Sequence, residues 1–129
     1  MPKVLIVDDT EETGKLLMRF LALHGYQSLA TTDGEEALPT ARAELPDVIL
    51  MDEDLGTDVP GHEYTRRLKA DEVTRGIPVV LITAFERDKA QMLAIGYDDY
   101  AKKPFFHDFP QLMKKIEALV HRAAPAAGN

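Results

Sequence analysis

The chain has no cysteine, which removes disulfide frameworks, thiolate metal sites and thiol nucleophiles from consideration together. It has no excess of positive charge either: 15 basic residues stand against 22 acidic ones, a net charge of -7. That balance argues against autonomous binding to nucleic acid or to an anionic membrane and suits a protein that binds soluble partners. No long hydrophobic run is present. At the N-terminus, Met1-Pro2-Lys3 leads into four apolar residues and then two aspartates, far too short for a secretory signal or a membrane span. A cytoplasmic location is expected by default. Internal repeats are absent, and the one biased segment is the tail 123–129, whose alanines and proline read as a flexible end.

At 129 residues, the chain has the usual size of one domain and can bury about two-thirds of its unfolded surface around one core. Strand and helix patterns alternate along its length. Lys3-Val7 is an apolar strand, and Thr10 to His24 forms the first helix, with Glu11 and Glu12 at its N-terminus and Gly25 as its stop. Tyr26-Thr31 is the second strand. Glu35-Glu44 is rich in helix formers, but Pro39 predicts a kink or a late start there. Asp47-Met51 and Ile77-Ile82 are runs without polar interruption after their first residues, as expected for strands buried on both faces. Between them, Glu63-Ala70 is the third helix. Arg87-Ile95 is the fourth, and the last carries Phe109, Leu112, Met113, Ile116, Leu119 and Val120 on one stripe, opened by a capping-box pattern at Asp108 and Gln111. Five strands alternating with five helices predict a doubly wound parallel sheet with helices on both faces.

Four of the strands end on residues suited to phosphoryl chemistry. Val4-Val7 ends on Asp8 and Asp9, Val48-Met51 on Asp52, Val79-Ile82 on Thr83, and Tyr100-Ala101 on Lys102, Lys103 and Pro104. In an open parallel sheet, ligand sites form in the crevice beyond the carboxyl ends of the strands, so these residues should meet. Mg²⁺ prefers hard oxygens and is usually held by one or two carboxylates with phosphate oxygens and waters. Asp9 and Asp52 can supply those carboxylates. With Asp8 and Asp54 close by, the pocket repels itself unless a divalent cation neutralises it. A carboxylate can attack phosphorus to give an aspartyl-phosphate while metal and lysine offset charge on the transferred oxygens. Asp52, ending the central strand, is the expected nucleophile. Singly, an Asp pair after a strand can be a helix cap and Lys-Pro a turn, but the joint order on strand ends favours a site.

Over residues 3 to 121 the chain resembles the receiver domains of bacterial two-component response regulators. The motifs that carry the resemblance are VLIVDD with Asp8 and Asp9, DVILMD with Asp52, VVLITA with Thr83, and YDDYAKKPF with Tyr100, Lys103 and Pro104. The resemblance implies a flavodoxin-like sheet of order 2-1-3-4-5 with five helices, a receiver domain over 1–122 and a stand-alone signalling switch rather than an enzyme. It implies Asp52 as phosphoacceptor, loaded by a histidine kinase or histidine phosphotransfer protein, with Thr83 as switch hydroxyl and Tyr100 as switch aromatic. Mg²⁺ is implied as cofactor, bound by Asp9, Asp52 and the Asp54 carbonyl, with Asp8 acting largely through water. It further implies a cis Lys103-Pro104 bond, and places Asp54 and Phe85 as gates on the path of the hydrolytic water.

Two departures from the family pattern stand out. Gly56 and Pro60 occupy the places where the family usually has proline and glycine after the phosphoacceptor, and Gly61 follows one residue late, which predicts a one-residue insertion. Between Thr83 and Lys103 the chain is about two residues short, so the fourth helix or the loop before it is trimmed. The alternatives are a pseudo-receiver that binds partners without phosphorylation, and a haloacid-dehalogenase-type phosphatase suggested by Asp52-Glu53-Asp54-Leu55-Gly56-Thr57. That phosphatase motif ends the first strand of its own fold, and here two strands precede it. His24, His62, His107 and His121 lack metal-ligand spacing and read as surface or structural residues. Lys114, Lys115 and Arg122 read as a solvated face of the last helix, as do the Glu and Arg residues of the third.

Overall fold

The computed structural model describes residues 2–84, 88–103 and 109–123, with Lys89, Arg122 and Ala123 described by their backbone alone. Five strands, β1 (Lys3–Val7), β2 (Gln27–Thr31), β3 (Val48–Asp52), β4 (Val79–Thr83) and β5 (Asp99–Lys102), form one parallel sheet in the order β2-β1-β3-β4-β5. Helices α1 (Glu11–Leu23), α2 (Ala37–Glu44), α3 (Gly61–Ala70), α4 (Lys89–Ile95) and α5 (Phe109–Ala123) connect and cover them. The flavodoxin-like order implied by the family resemblance is the order observed.

Side chains of successive strand residues point to opposite faces, and the apolar runs are divided accordingly. Val4, Ile6, Val48, Leu50, Val80 and Ile82 pack with Leu17 and Leu21 of α1 and with Leu112, Met113 and Ile116 of α5. Leu5, Val7, Ile49, Met51, Val79 and Leu81 pack with Ala37 and Ala41 of α2, Tyr64 and Leu68 of α3, and Met92 of α4. Two cores on one sheet explain why β1, β3 and β4 carry no alternation: β3 and β4 are buried at every position, as strands covered on both faces must be.

The helix starts differ from the sequence expectations in physically readable ways. Asp33 caps a 3₁₀ turn over Gly34–Glu36 by accepting from the Glu35 N–H at 2.9 Å, and α2 begins only at Ala37. Pro39 therefore falls in the first helical turn, where the missing N–H has no intrahelical partner to lose. The late start holds. α3 begins at Gly61, two residues before the expected Glu63, and α4 begins at Lys89, two residues after the expected Arg87, with Asp88 before it accepting from the Ala90 N–H at 2.8 Å. α4 has seven residues, in keeping with a trimmed segment between Thr83 and Lys103. α5 runs to Ala123, one residue into the expected tail. The tail 124–129, the Asp108 cap and Pro104 with its peptide bond all lie outside the described residues. No described helix is long and apolar enough to cross a membrane.

Candidate active site

The register of the sheet brings the strand-end residues together. Val7 pairs with Met51, Asp52 with Ile82, and Thr83 with Lys102, so one further step puts Asp8 level with Asp52, and Lys103 just beyond Thr83. The turn out of β5 is fixed by the Lys103 N–H, which donates to the Thr83 carbonyl at 2.7 Å. Asp8 and Asp52 are each 3% exposed and Thr83 2% exposed. Asp9, in contrast, is exposed, so the carboxylates line a cleft that is buried at its floor and open at its rim. Thr10, Glu53, Asp54 and Ala84 complete its wall.

Lys103 supplies the one ammonium among the described side chains lining this cleft. Its Nζ donates to Asp52 Oδ2 at 2.8 Å and lies 3.4 Å from Asp8 Oδ2. The remaining Asp52 oxygen, Oδ1, accepts from the Asp54 N–H at 3.2 Å, and Asp8 Oδ1 accepts from the Thr10 N–H at 2.9 Å. Burial raises Asp52 from the ordinary carboxylate range to about 6, helped by the negative charge of Asp8 and opposed by Lys103 and the Asp54 N–H. Burial alone would lower Lys103, but its hydrogen bond to Asp52 and the negative charges of Asp8 and Asp52 outweigh it and hold the ammonium above its usual value. The ion pair is thus mutually dependent.

The donor set fits a hard divalent cation. One carboxylate oxygen from each of Asp8, Asp9 and Asp52 falls within 4.8 Å of the others. Asp8 Oδ2 is buried with no hydrogen-bond donor among the described residues, having only the Lys103 charge nearby. Gly56 sits at φ +73°, where a Cβ would lie 3.2 Å from Asp9 Oδ2, so a side chain there would crowd the acid that opens to the rim. Oxygen-only ligands at this spacing suit Mg²⁺ better than softer metals.

A family model for the response regulator receiver domain matches residues 4–117. The chain belongs to the response regulator receivers. This receiver is 39% identical over 121 residues to the polar-differentiation response regulator DivK of Brucella anthropi, covering 92% of this chain and 96% of that one. It is 35% identical over 127 residues to the phosphate regulon transcriptional regulatory protein PhoB of Rhizobium meliloti, covering 97% of this chain but about half, 55%, of that longer protein. The receiver domain of the sensor histidine kinase PA1611 from Pseudomonas aeruginosa, solved with a magnesium ion coordinated in its active-site cleft, superposes with a TM-score of 0.80 at 27% identity. That match covers 93% of this chain and 98% of the other. Proteins of this family are signalling phosphoacceptors that work with histidine kinases and downstream proteins. The phosphatase alternative finds no support, since Asp52 ends β3 and is flanked by β1 with Asp8.

Of the sequence-predicted residues, Asp8, Asp9, Asp52, Asp54, Thr83 and Lys103 converge on this cleft. Tyr100 lies on β5, half-buried against the core beneath α4, with Lys115 Nζ 5.1 Å from its ring centroid and donating to its carbonyl at 2.5 Å. Lys115 is therefore a partner of β5 rather than part of a plain solvated face. Phe85 lies outside the described residues. Asp54 is exposed, and its Oδ1 accepts from the Gly56 N–H at 3.0 Å. The sequence assigns Glu53 no role in the site and reads His62 as a surface or structural residue; the structural reading holds for His62, whose Nδ1 lies 2.8 Å from Glu53 Oε2. Nine residues separate them, and no periodic pattern marks such a contact.

Proposed function

We propose that Asp52 of this receiver, acting in the cytoplasm, takes a phosphoryl group from the phosphohistidine of a sensor histidine kinase or histidine phosphotransfer protein, in a Mg²⁺-dependent step, and that the product alters affinity for a downstream protein. The observation that carries this reading is the Asp52 carboxylate, buried yet facing the cleft, with the Lys103 ammonium 2.8 Å away. An Asp52 oxygen attacks phosphorus, the donor's N–P bond breaks, and the imidazole leaves with the bonding pair and takes up a proton. Asp8, Asp9 and Asp52, with the Asp54 carbonyl, are the residues to hold Mg²⁺, which when bound offsets negative charge on the phosphoryl oxygens. Lys103 neutralises a further oxygen. Thr83, at the end of β4, donates its hydroxyl to the phosphoryl group, and Tyr100 responds on β5. These new contacts bias a two-state equilibrium rather than build a new fold.

The test is phosphorylation by acetyl phosphate followed by intact mass. One phosphoryl adduct is expected with Mg²⁺ and none in the presence of chelator or in Asp52→Asn. The same adduct in Asp52→Asn sinks the assignment, and no adduct across a range of donors favours a phosphorylation-independent module. Asp54 and Phe85, two residues beyond Asp52 and Thr83, are proposed to flank the hydrolytic water. An aromatic ring there excludes the in-line water that dephosphorylation needs, so Phe85→Ala is expected to shorten the phosphorylated lifetime after the donor is removed. Equal decay in both proteins rules that role out.

A further inference from the structure

We propose that Glu53, locked by His62, is a positioning residue that staples shut the loop between β3 and α3 and so holds the Asp54 backbone where the metal needs it. The inference rests on the reading that Asp9, Asp52 and the Asp54 carbonyl form the Mg²⁺ site. Both oxygens of the Glu53 carboxylate are engaged by one residue: Oε1 accepts from the His62 backbone N–H at 2.9 Å, and Oε2 meets His62 Nδ1 at 2.8 Å. An acceptor-only carboxylate requires Nδ1 to carry the proton, which fixes the imidazole tautomer. The Glu53 backbone is held equally firmly, its N–H donating to the Ile82 carbonyl at 3.0 Å and its carbonyl accepting from the Gly61 N–H at 2.9 Å. Four hydrogen bonds thus tie this residue to β4 on one side and to the first turn of α3 on the other.

The segment it closes is anchored in its middle by Leu55, buried in the core beneath α2, α3 and α4, with Val59 packed against the same core. Around Asp54 itself the hydrogen bonds are short-range turns, from the Asp54 N–H to Asp52 and from the Gly56 N–H to Asp54. This is also the segment that the sequence pattern predicts to carry one extra residue, and Gly56 stands at positive φ in its middle. A longer loop has more conformations to lose when its ends are fixed, and the nine-residue span from Glu53 to His62 is where that closure is made. Asp54 is the first residue inside it, and its N–H already reaches Asp52 Oδ1 at 3.2 Å. Glu53 lines the phosphoacceptor cleft on one side and, with His62, a small cavity beneath α4 on the other. A residue so placed orients the metal-facing backbone without itself being a ligand.

The full chain is to be titrated with Mn²⁺, following the free-ion electron paramagnetic resonance signal, with the thermal midpoint of the metal-free protein recorded alongside. Glu53→Ala is expected to weaken Mn²⁺ binding about tenfold. Glu53→Gln keeps an acceptor for the His62 N–H and a hydrogen-bonding group for the ring, and is expected to stay within about twofold of wild type. His62→Ala, which keeps one of the two bonds, should fall between them and serves as the reporter if Glu53→Ala does not fold. Equal weakening in Glu53→Gln and Glu53→Ala would mean that charge acts, not position, and would overturn the proposal. So would a lower midpoint with unchanged Mn²⁺ affinity, the mark of a purely structural contact. Asp9→Asn is the control: if it binds Mn²⁺ as wild type does, the metal-site reading itself fails and takes this inference with it. Loss of binding in Asp9→Asn with none in Glu53→Ala sinks the staple alone.

Discussion

Asp52 has a folded-state pKa of about 6 against an ordinary 3.8, raised chiefly by burial and then by Asp8, and the sign of the consequence follows from linkage. A carboxylate whose pKa rises on folding favours the folded state while protonated. That contribution is complete below the unfolded pKa, near 4, and is lost as the pH climbs through 6. Between pH 5 and pH 7.5, the metal-free receiver should lose on the order of 1 kcal/mol from this group. Denaturant unfolding at the two pH values in wild type and Asp52→Asn measures it directly. The wild type should show the larger drop, and equal drops would mean that Asp52 is not the strained acid. Within the same window the proposed nucleophile becomes ionised, so stability and the proposed reactivity move in opposite directions. A bound divalent cation reverses the trade by stabilising the carboxylate.

At the level of elements, the α3 N-terminus sits against the end of β3 at a separation that admits no side chain at Gly61. A Cβ at Gly61 would lie 2.1 Å from the Asp52 carbonyl oxygen and 3.0 Å from Glu53 Cα, backbone atoms that cannot swing aside. Gly61→Ala should therefore push α3 off the sheet and cost about 3 kcal/mol of unfolding free energy. Gly56→Ala meets a movable carboxylate instead, and its main cost is the positive φ, about 1 kcal/mol. A Gly61 variant as stable as the Gly56 one would refute this ranking. These glycines show what sequence reading captures and what it misses. The strands were legible because burial on both faces leaves unbroken apolar runs, and the strand-end acids because parallel topology collects them. The start of α3 was placed two residues late because Gly61 is a poor helix former whose presence is dictated by a neighbour's backbone. β4 begins at Val79 rather than Ile77, since Pro78 has no N–H to give, although its carbonyl accepts from the Ile49 N–H at 2.9 Å. The Glu53–His62 pair was invisible because it spans a loop whose path no local propensity encodes.

For the whole molecule, a net charge of -7 is carried by a fold that gathers Asp8, Asp9 and Asp52 around Lys103 in one cleft. Any salt will relieve the first burden by screening. Only a cation that fits the cleft relieves the second. The two are separable by comparing MgCl₂ with NaCl at matched ionic strength. A ligand that binds only the folded state stabilises it by mass action, about 2.7 kcal/mol at a hundredfold excess over the dissociation constant. For a domain of this size that corresponds to roughly 10 °C in melting temperature. NaCl should give a few degrees at most, with no saturation. Asp9→Asn separates the effects again: the variant should lose most of the Mg²⁺ increment, keep the NaCl response, and match or exceed the metal-free wild type, because one like charge has left the cleft. Differential scanning fluorimetry across both salts checks all three expectations. If metal-free Asp9→Asn melts clearly below wild type, Asp9 is held by favourable contacts rather than by repulsion awaiting a cation. If Mg²⁺ and NaCl prove equivalent, the stabilisation belongs to the surface charge and not to the site.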